Sequence, residues 1–327
     1  MTSRPAALVL SSSWRADNTE LSFVTRAVAG AVSRSADVTV VALQEAETSE
    51  PDGAFDLAGI GVRPGDRWPE PGAARWPTPP GPGTIWILDE ASDDAVAILG
   101  AFGTMGEAFT IAPAPAAEGT GLRHLSLTPS DREASGMVGM HVPVNPLAAA
   151  HRHAGLGFTG YVLVLSDRSN TPPVQPPTPA VAWLTARFHD RYIVVVEGGT
   201  AAAWKGRALR GVVGVETRTD LWRLLAHASV VVDVAPGSII GRECIESLLL
   251  GTPIVVPEES TAAAHARSGG GMTYSAVADL LDAVELLSDE KARSSVADRG
   301  RAYAEEYYGN AGRFVDRIRR ALGPGLT

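Results

Sequence analysis

Cysteine is almost missing from this chain: Cys244 is the single thiol in 327 residues. An internal disulfide and a cysteine-based zinc site are therefore excluded. Cys244 falls inside an apolar helical pattern and is expected to be core, not a nucleophile. No apolar run approaches the ~18 residues that span a bilayer. The first such run, Ala6 to Leu10, is too short for a signal h-region with a cleavage site and reads as a strand. Positive charge is short as well: the net charge is −9, which argues against a general nucleic-acid-binding surface. No strongly basic amphipathic helix stands out to hold the chain on a membrane. The expectation is a cytoplasmic protein with no nucleic-acid partner and no transmembrane segment. Metal binding has little support. His151 and His153 have no further ligands nearby and read as a solvated polar segment.

What is present is an ordinary globular composition, 45% hydrophobic and 20% charged, over a length that suits two domains. Strand and helix patterns alternate in two series. In the first, strands are expected at 7–10, 38–43, 84–88, 109–112 and 124–127, with a weaker one at 55–62. Helices are expected at 18–33, capped by Asp17, and at 93–102. Residues 44–83, rich in Pro, Gly and acidic side chains, read as irregular. Residues 137–158 read as an interdomain connection. The second series has strands at 161–165, 192–196 and 211–215 and helices at 179–188 and 219–226. From Tyr274 the chain reads as helical, in segments 276–287, 289–308 and 312–322, with Ser288 capping the second. This divides the chain into domains at 1–142 and 143–327, with terminal helices at 289–322. Two such series imply an α/β protein of two facing doubly wound, Rossmann-like domains, with ligands at the carboxyl ends of the strands.

The densest information lies between Ala228 and Glu258. A β-branched run, Ser229 to Val234, ends at Ala235-Pro236-Gly237-Ser238, and a helical pattern follows from Ile239 to Leu250. Gly251 stops that helix and Thr252-Pro253 opens a second apolar strand at 254–256. Two buried strands joined by a short crossover helix make a parallel βαβ unit. Its strand-to-helix loop holds Gly237, Gly241 and the hydroxyl of Ser238, and amides at such a helix start can hold an anion, most often a phosphate.

Here the sequence resembles the GT-B glycosyltransferases of the family-4 retaining type. Gly241, Glu246 and the run Gly251 to Val256 fall in register with the family's donor loop, helix and following strand, with Pro236 two positions late. His265-Ala266 and Gly269 to Met272 resemble its Gly-rich turn before the final helices. Tyr161 to Arg168 resembles the strand that opens its donor domain, and 219–232 resembles the helix and strand before the donor loop. The resemblance implies transfer of a hexose from a nucleoside diphosphate sugar without a tightly bound metal, and a last helix that crosses back to the first domain. It also implies donor-binding roles for Arg168 and for Gly237, Ser238, Ile239, Ile240 and Gly241, with Glu246 on the ribose. The family's pair of glutamates eight positions apart is broken, since Ser238 stands at the first position. The Lys that accompanies the family's Arg is absent after Arg168, and Ser11 to Arg15 replaces the Gly-Gly acceptor loop.

Each site residue has a plainer reading. Glu246 is either the ribose contact or a helix-surface carboxylate, and Glu243 is solvated or ion-paired. Ser238 is a loop or cap hydroxyl as readily as a sugar contact, and Arg168 a surface cation as readily as a phosphate contact. Asp89 and Glu90, after the strand at 84–88, are candidate acceptor-side bases or helix-start acids. Ser13, Arg15 and Asn18 occupy the first strand-to-helix loop on the acceptor side. The partners expected are a nucleotide-sugar and a small-molecule or glycan acceptor, with a homo-oligomer or a protein partner as further candidates. Three readings stay open: a glycosyltransferase, a non-catalytic GT-B-like protein that binds a nucleotide or a protein, and a sugar-nucleotide epimerase.

Overall fold

Among the described residues twelve strands pair in two six-stranded sheets, and every pairing among them is parallel. The computed structural model describes residues 5–11, 20–42, 61–63, 84–88, 108–111, 123–129, 137–165, 179–188, 193–197, 212–215, 217–234 and 240–323. The chain divides into two units, 1–141 with 310–327, and 142–309.

The first sheet contains β1 (Ala6–Ser11), β2 (Asp37–Ala42), β3 (Gly61–Arg63), β4 (Ile85–Leu88), β5 (Ala108–Thr110) and β6 (Arg123–His124), in the order β3-β2-β1-β4-β5-β6. The second contains β7 (Tyr161–Leu165), β8 (Ile193–Glu197), β9 (Val212–Gly214), β10 (Ala228–Asp233), β11 (Ile254–Pro257) and β12 (Gly271–Tyr274), in the order β12-β11-β10-β7-β8-β9. Counted from its own first strand, each has the 3-2-1-4-5-6 order of a doubly wound sheet. The order reverses between β1 and β4 in one unit and between β7 and β10 in the other. At the second reversal Leu165 and Asp233, the last residues of the two strands, lie side by side.

Strands β7, β10 and β11 of the second unit bury both faces, as crossover helices require. Tyr161, Leu163 and Leu165 join Leu221, Leu224, Cys244 and Leu248 on one side, and Val162 and Val164 join Leu184 of helix α3 (Pro179–Arg187), Leu280 and Val284 on the other. This is the period-two alternation of a strand with helices on each face. Cys244 is buried there, as expected of a core thiol. In the first unit, helix α1 (Glu20–Ser33) buries Val24, Val28 and Val32. Helix α9 (Ala311–Leu322) packs on α1 and buries Phe314, Ile318 and Leu322 at four-residue spacing.

Several local expectations are corrected. A short helix, α2 (Pro146–Ala149), sits inside the expected connection: Asn145 caps it, its Oδ1 accepting from the Leu147 and Ala148 amides at 3.1 and 3.2 Å, with Pro146 first in the helix. The Gly-rich stretch after His265, expected to be a turn, runs into β12, the outermost strand beside β11. Gly271 fits it because a Cβ there would stand 1.9 Å from the Ile254 carbonyl oxygen. Helix α8 (Glu290–Tyr307) is capped by Asp289, whose carboxylate accepts from the Ala292 amide at 2.8 Å. Ser288 instead donates back to the Val284 carbonyl, in helix α7 (Val277–Leu286). The absence of a basic amphipathic helix is corrected by α9, which carries Arg313, Arg317, Arg319 and Arg320 against one acid, Asp316. Its apolar face is spent inside its own unit. Residues 310–322, counted with the second domain in the division at 142/143, group with the first unit, to which the resemblance had the last helix cross back.

Candidate functional site

The segments that carry most of the expected site residues leave from the carboxyl ends of the central strands. Ser13, Arg15 and Asn18 follow β1, Asp89 and Glu90 follow β4, Arg168 follows β7, and Gly237, Ser238 and Ile239 follow β10. Those residues, with Asp17, the expected helix at 93–102 and the Pro-rich stretches, lie outside the described residues. Ile240, Gly241 and Glu246 are described, the first two just before the next helix and Glu246 within it.

Helix α5 (Arg242–Leu249) begins three residues later than the apolar pattern suggested. Gly241 is the cause: it sits at φ 66°, ψ 46°, a left-handed conformation that ends one run of backbone and starts the next. A Cβ on Gly241 would lie 3.1 Å from Ala262 Cβ and 3.3 Å from His265 Cδ2, so the position is also closely packed.

One turn into α5, Glu246 is fully buried, at 0% exposure, which rules out the plain surface-carboxylate reading. Its charge is met by two guanidiniums. Arg218, first in helix α4 (Arg218–His227), donates from Nε to Glu246 Oε1 at 2.9 Å and places Nη2 2.8 Å from Oε2. Arg242, first in α5, donates to the same Oε1 at 3.1 Å. Arg218 also donates from Nη1 to Glu243 Oε1 at 2.8 Å, so Glu243 is ion-paired. Burial works against the charged form of Arg218, but Glu246 and Glu243 outweigh it, and its pKa is raised. Arg242 goes the other way, pushed down by burial, with Glu246 pulling it back. Two cations and two anions thus form a formally neutral cluster that ties the start of α4 to α5.

Arg218 escaped the sequence reading, being 28 residues from its partner. A signal existed. Both arginines open a helix, where the macrodipole disfavours a cation, and such a placement calls for carboxylates nearby.

His265 escaped it too. It ends the short helix α6 (Ala263–His265), leading into a wide turn at Ala266–Gly270, and it is fully buried. Its Nε2 is 2.6 Å from the Ile240 carbonyl and its Nδ1 is 2.8 Å from the Tyr303 hydroxyl. A carbonyl only accepts, so Nε2 carries the proton and Nδ1 accepts from Tyr303. Burial lowers the His265 pKa from 6.5 to about 4, with the bond to Ile240 opposing. Between those values the unfolded chain binds a proton that the folded one does not, so this contribution is complete above pH 6.5 and is lost as pH falls toward 4. The gap is worth about 3 kcal/mol. Unfolding free energies measured at pH 7 and pH 4.5 should fall by less in His265→Gln than in the parent.

Among the described residues no group of three His, Cys, Asp or Glu is gathered that could hold a metal, and no helix is long and apolar enough to cross a membrane.

No protein-family model matches the chain, and no curated protein does. Solved structures match along nearly its whole length. Anabaena HepE, crystallised with UDP and glucose, aligns over 96% of this chain and 98% of its own at a TM-score of 0.63 and 12% identity. A glycosyltransferase of Rickettsia africae aligns over 99% and 100%, at 0.63 and 10%. The fold is GT-B. The same architecture extends to a Listeria monocytogenes protein described as a UDP-N-acetylglucosamine 2-epimerase, at a TM-score of 0.56 and 14% identity over 98% of this chain and 96% of that one. At these identities the likeness is one of GT-B architecture.

Proposed function

We propose that this GT-B protein is a glycosyltransferase that moves a hexose from a nucleoside diphosphate sugar to a small-molecule or glycan acceptor, with the donor held by the second unit. The observation that carries the reading is the reversal of strand order between β7 and β10. There the segments bearing Arg168 and Gly237 to Gly241 start from adjacent strand ends, where doubly wound sheets take ligands. The UDP and glucose bound by HepE, on the same architecture, support a nucleotide-sugar as that ligand. In this reading the turn from Gly237 through Ile239 and Ile240 to Gly241 receives the diphosphate, and Arg168 neutralises it. Ser238 faces the sugar where a carboxylate would otherwise stand. Glu246 meets the ribose from within its arginine cluster. On the acceptor side, Asp89 or Glu90 takes the acceptor proton, with Ser13, Arg15 and Asn18 lining the approach.

A second reading, a nucleotide-binding protein that transfers nothing, is favoured by what the sequence lacks: Ser238 stands where a sugar-contacting carboxylate is expected, and no Lys follows Arg168 in the segment after β7. Incubation with UDP-glucose and a broad acceptor panel separates the two. Release of UDP that rises with an acceptor supports transfer; saturable UDP binding with no release supports the binder. An epimerase would instead convert UDP-N-acetylglucosamine to its 2-epimer without releasing UDP at equal rate.

A further inference from the structure

We propose that Arg218 is a latch on Glu246, one that covers the carboxylate here and passes to Glu243 when the ribose of a nucleotide arrives. The two oxygens of Glu246 are unequally served. Oε1 accepts from Arg218 Nε at 2.9 Å and from Arg242 Nε at 3.1 Å. Oε2 is buried and accepts no hydrogen bond among the described residues. Arg218 Nη2 stands 2.8 Å from it but out of alignment, and is itself buried without an acceptor. The cause is the other bond of the same guanidinium, from Nη1 to Glu243 Oε1 at 2.8 Å. One planar fork serves two carboxylates and does not align fully with both.

A buried acceptor without a donor gains when one is brought to it. The donor that fits is uncharged: Arg242 already balances Glu246, and a phosphate would meet the carboxylate as a like charge. The vicinal hydroxyls of a ribose are such donors. Glu246 has no exposure, so a ribose reaches Oε2 only by moving a neighbour. Arg218 is the more open of the two cations on it, with 26% of its side chain exposed against 13% for Arg242. Its departure strands no charge. Arg218 keeps Glu243, Arg242 keeps Glu246, and one four-membered cluster becomes two ion pairs. Glu243, one turn earlier in α5 and 24% exposed, is thus the carboxylate that receives the displaced cation. The inference rests on reading Glu246 as the ribose contact.

The test measures Kd for UDP and for its 2′,3′-dideoxy form on the full-length chain, on Arg218→Met and on Glu243→Gln. The ratio of the two Kd values isolates the ribose hydroxyls, since changes felt through the phosphates move both ligands alike. Selectivity for UDP should rise at least threefold in Arg218→Met, where no guanidinium from α4 competes for Oε2. It should fall at least threefold in Glu243→Gln, where Arg218 loses its second carboxylate. A residue that merely positioned Glu246 would give the opposite sign, with selectivity lost on its removal. Unchanged or lowered selectivity in Arg218→Met overturns the proposal. Unchanged or raised selectivity in Glu243→Gln does the same, and decides the matter alone if Arg218→Met does not fold. A parent that binds no nucleoside diphosphate takes down the functional reading and the latch with it. A parent that binds UDP but fails either comparison takes down the latch alone.

Discussion

Arg218→Ala is expected to lower the unfolding free energy of the second unit by about 3 kcal/mol, near the lower end for breaking a buried ion pair. The loss comes less from the missing attraction than from what is left behind. Glu246 has no exposure, and without Arg218 its charge rests on Arg242, while Glu243 loses the Arg218 ion pair. Replacing both ends with apolar groups, Arg218→Met with Glu246→Leu, should recover most of that loss, because no stranded carboxylate remains. Denaturant unfolding of the three proteins measures this directly. A single variant as stable as the parent would mean that the cluster holds nothing together.

Gly271→Val should do more damage, above about 4 kcal/mol or enough to prevent folding, by backbone overlap of a severity few substitutions reach. A Cβ at Gly271 would lie 1.9 Å from the Ile254 carbonyl oxygen and 2.7 Å from Ile254 Cγ1, where β12 pairs with β11. β11 cannot retreat, since it is paired to β10 on its other side and buries Ile254, Val255 and Val256, so the overlap must push the edge strand β12 out of its pairing. Gly157→Ala is the control: no atom lies within 4 Å of the added carbon, so little change is expected. Gly251 falls between the two. Its φ is 80°, but the atoms met by a Cβ belong to the movable end of Arg301. Thermal unfolding should find Gly271→Val the least stable, Gly251→Ala next and Gly157→Ala nearest the parent, and a Gly271→Val protein with parental stability would contradict the β11–β12 packing.

The sequence made the frame legible because strand and helix periods differ. Tyr161 to Leu165 is a run of five buried residues bounded by polar ones, and the structure has a strand of those same bounds. The βαβ unit around Cys244 was legible too, although the pattern ran its helix from Ile239 through Gly241, whose left-handed conformation delays the start to Arg242. What escaped was local structure with little pattern to read. β12 has four residues and opens with a glycine needed for close approach, so its composition reads as a turn. Helix α2 is a single turn, carried by one cap and one proline.

At the candidate site, Glu246 was found by its register, but its surroundings were not. Whether a carboxylate is free or paired depends on what folding brings beside it, and Arg218 arrives from another helix. His265 read as part of a turn because nothing local announces its partners: Ile240 is 25 positions away and Tyr303 is 38. The sequence pattern thus located the strand ends, and only the fold could show how the polar groups around Gly241 are shared out.

The central claim is that the β7–β10 reversal holds a nucleoside diphosphate. Calorimetric titration of the full chain with UDP, ADP and GDP tests it most directly, with UDP-glucose as the donor form. The account predicts saturable binding of at least one nucleoside diphosphate at one site per chain. No binding heat with any of the three, at protein and ligand concentrations that would detect a millimolar site, would contradict it.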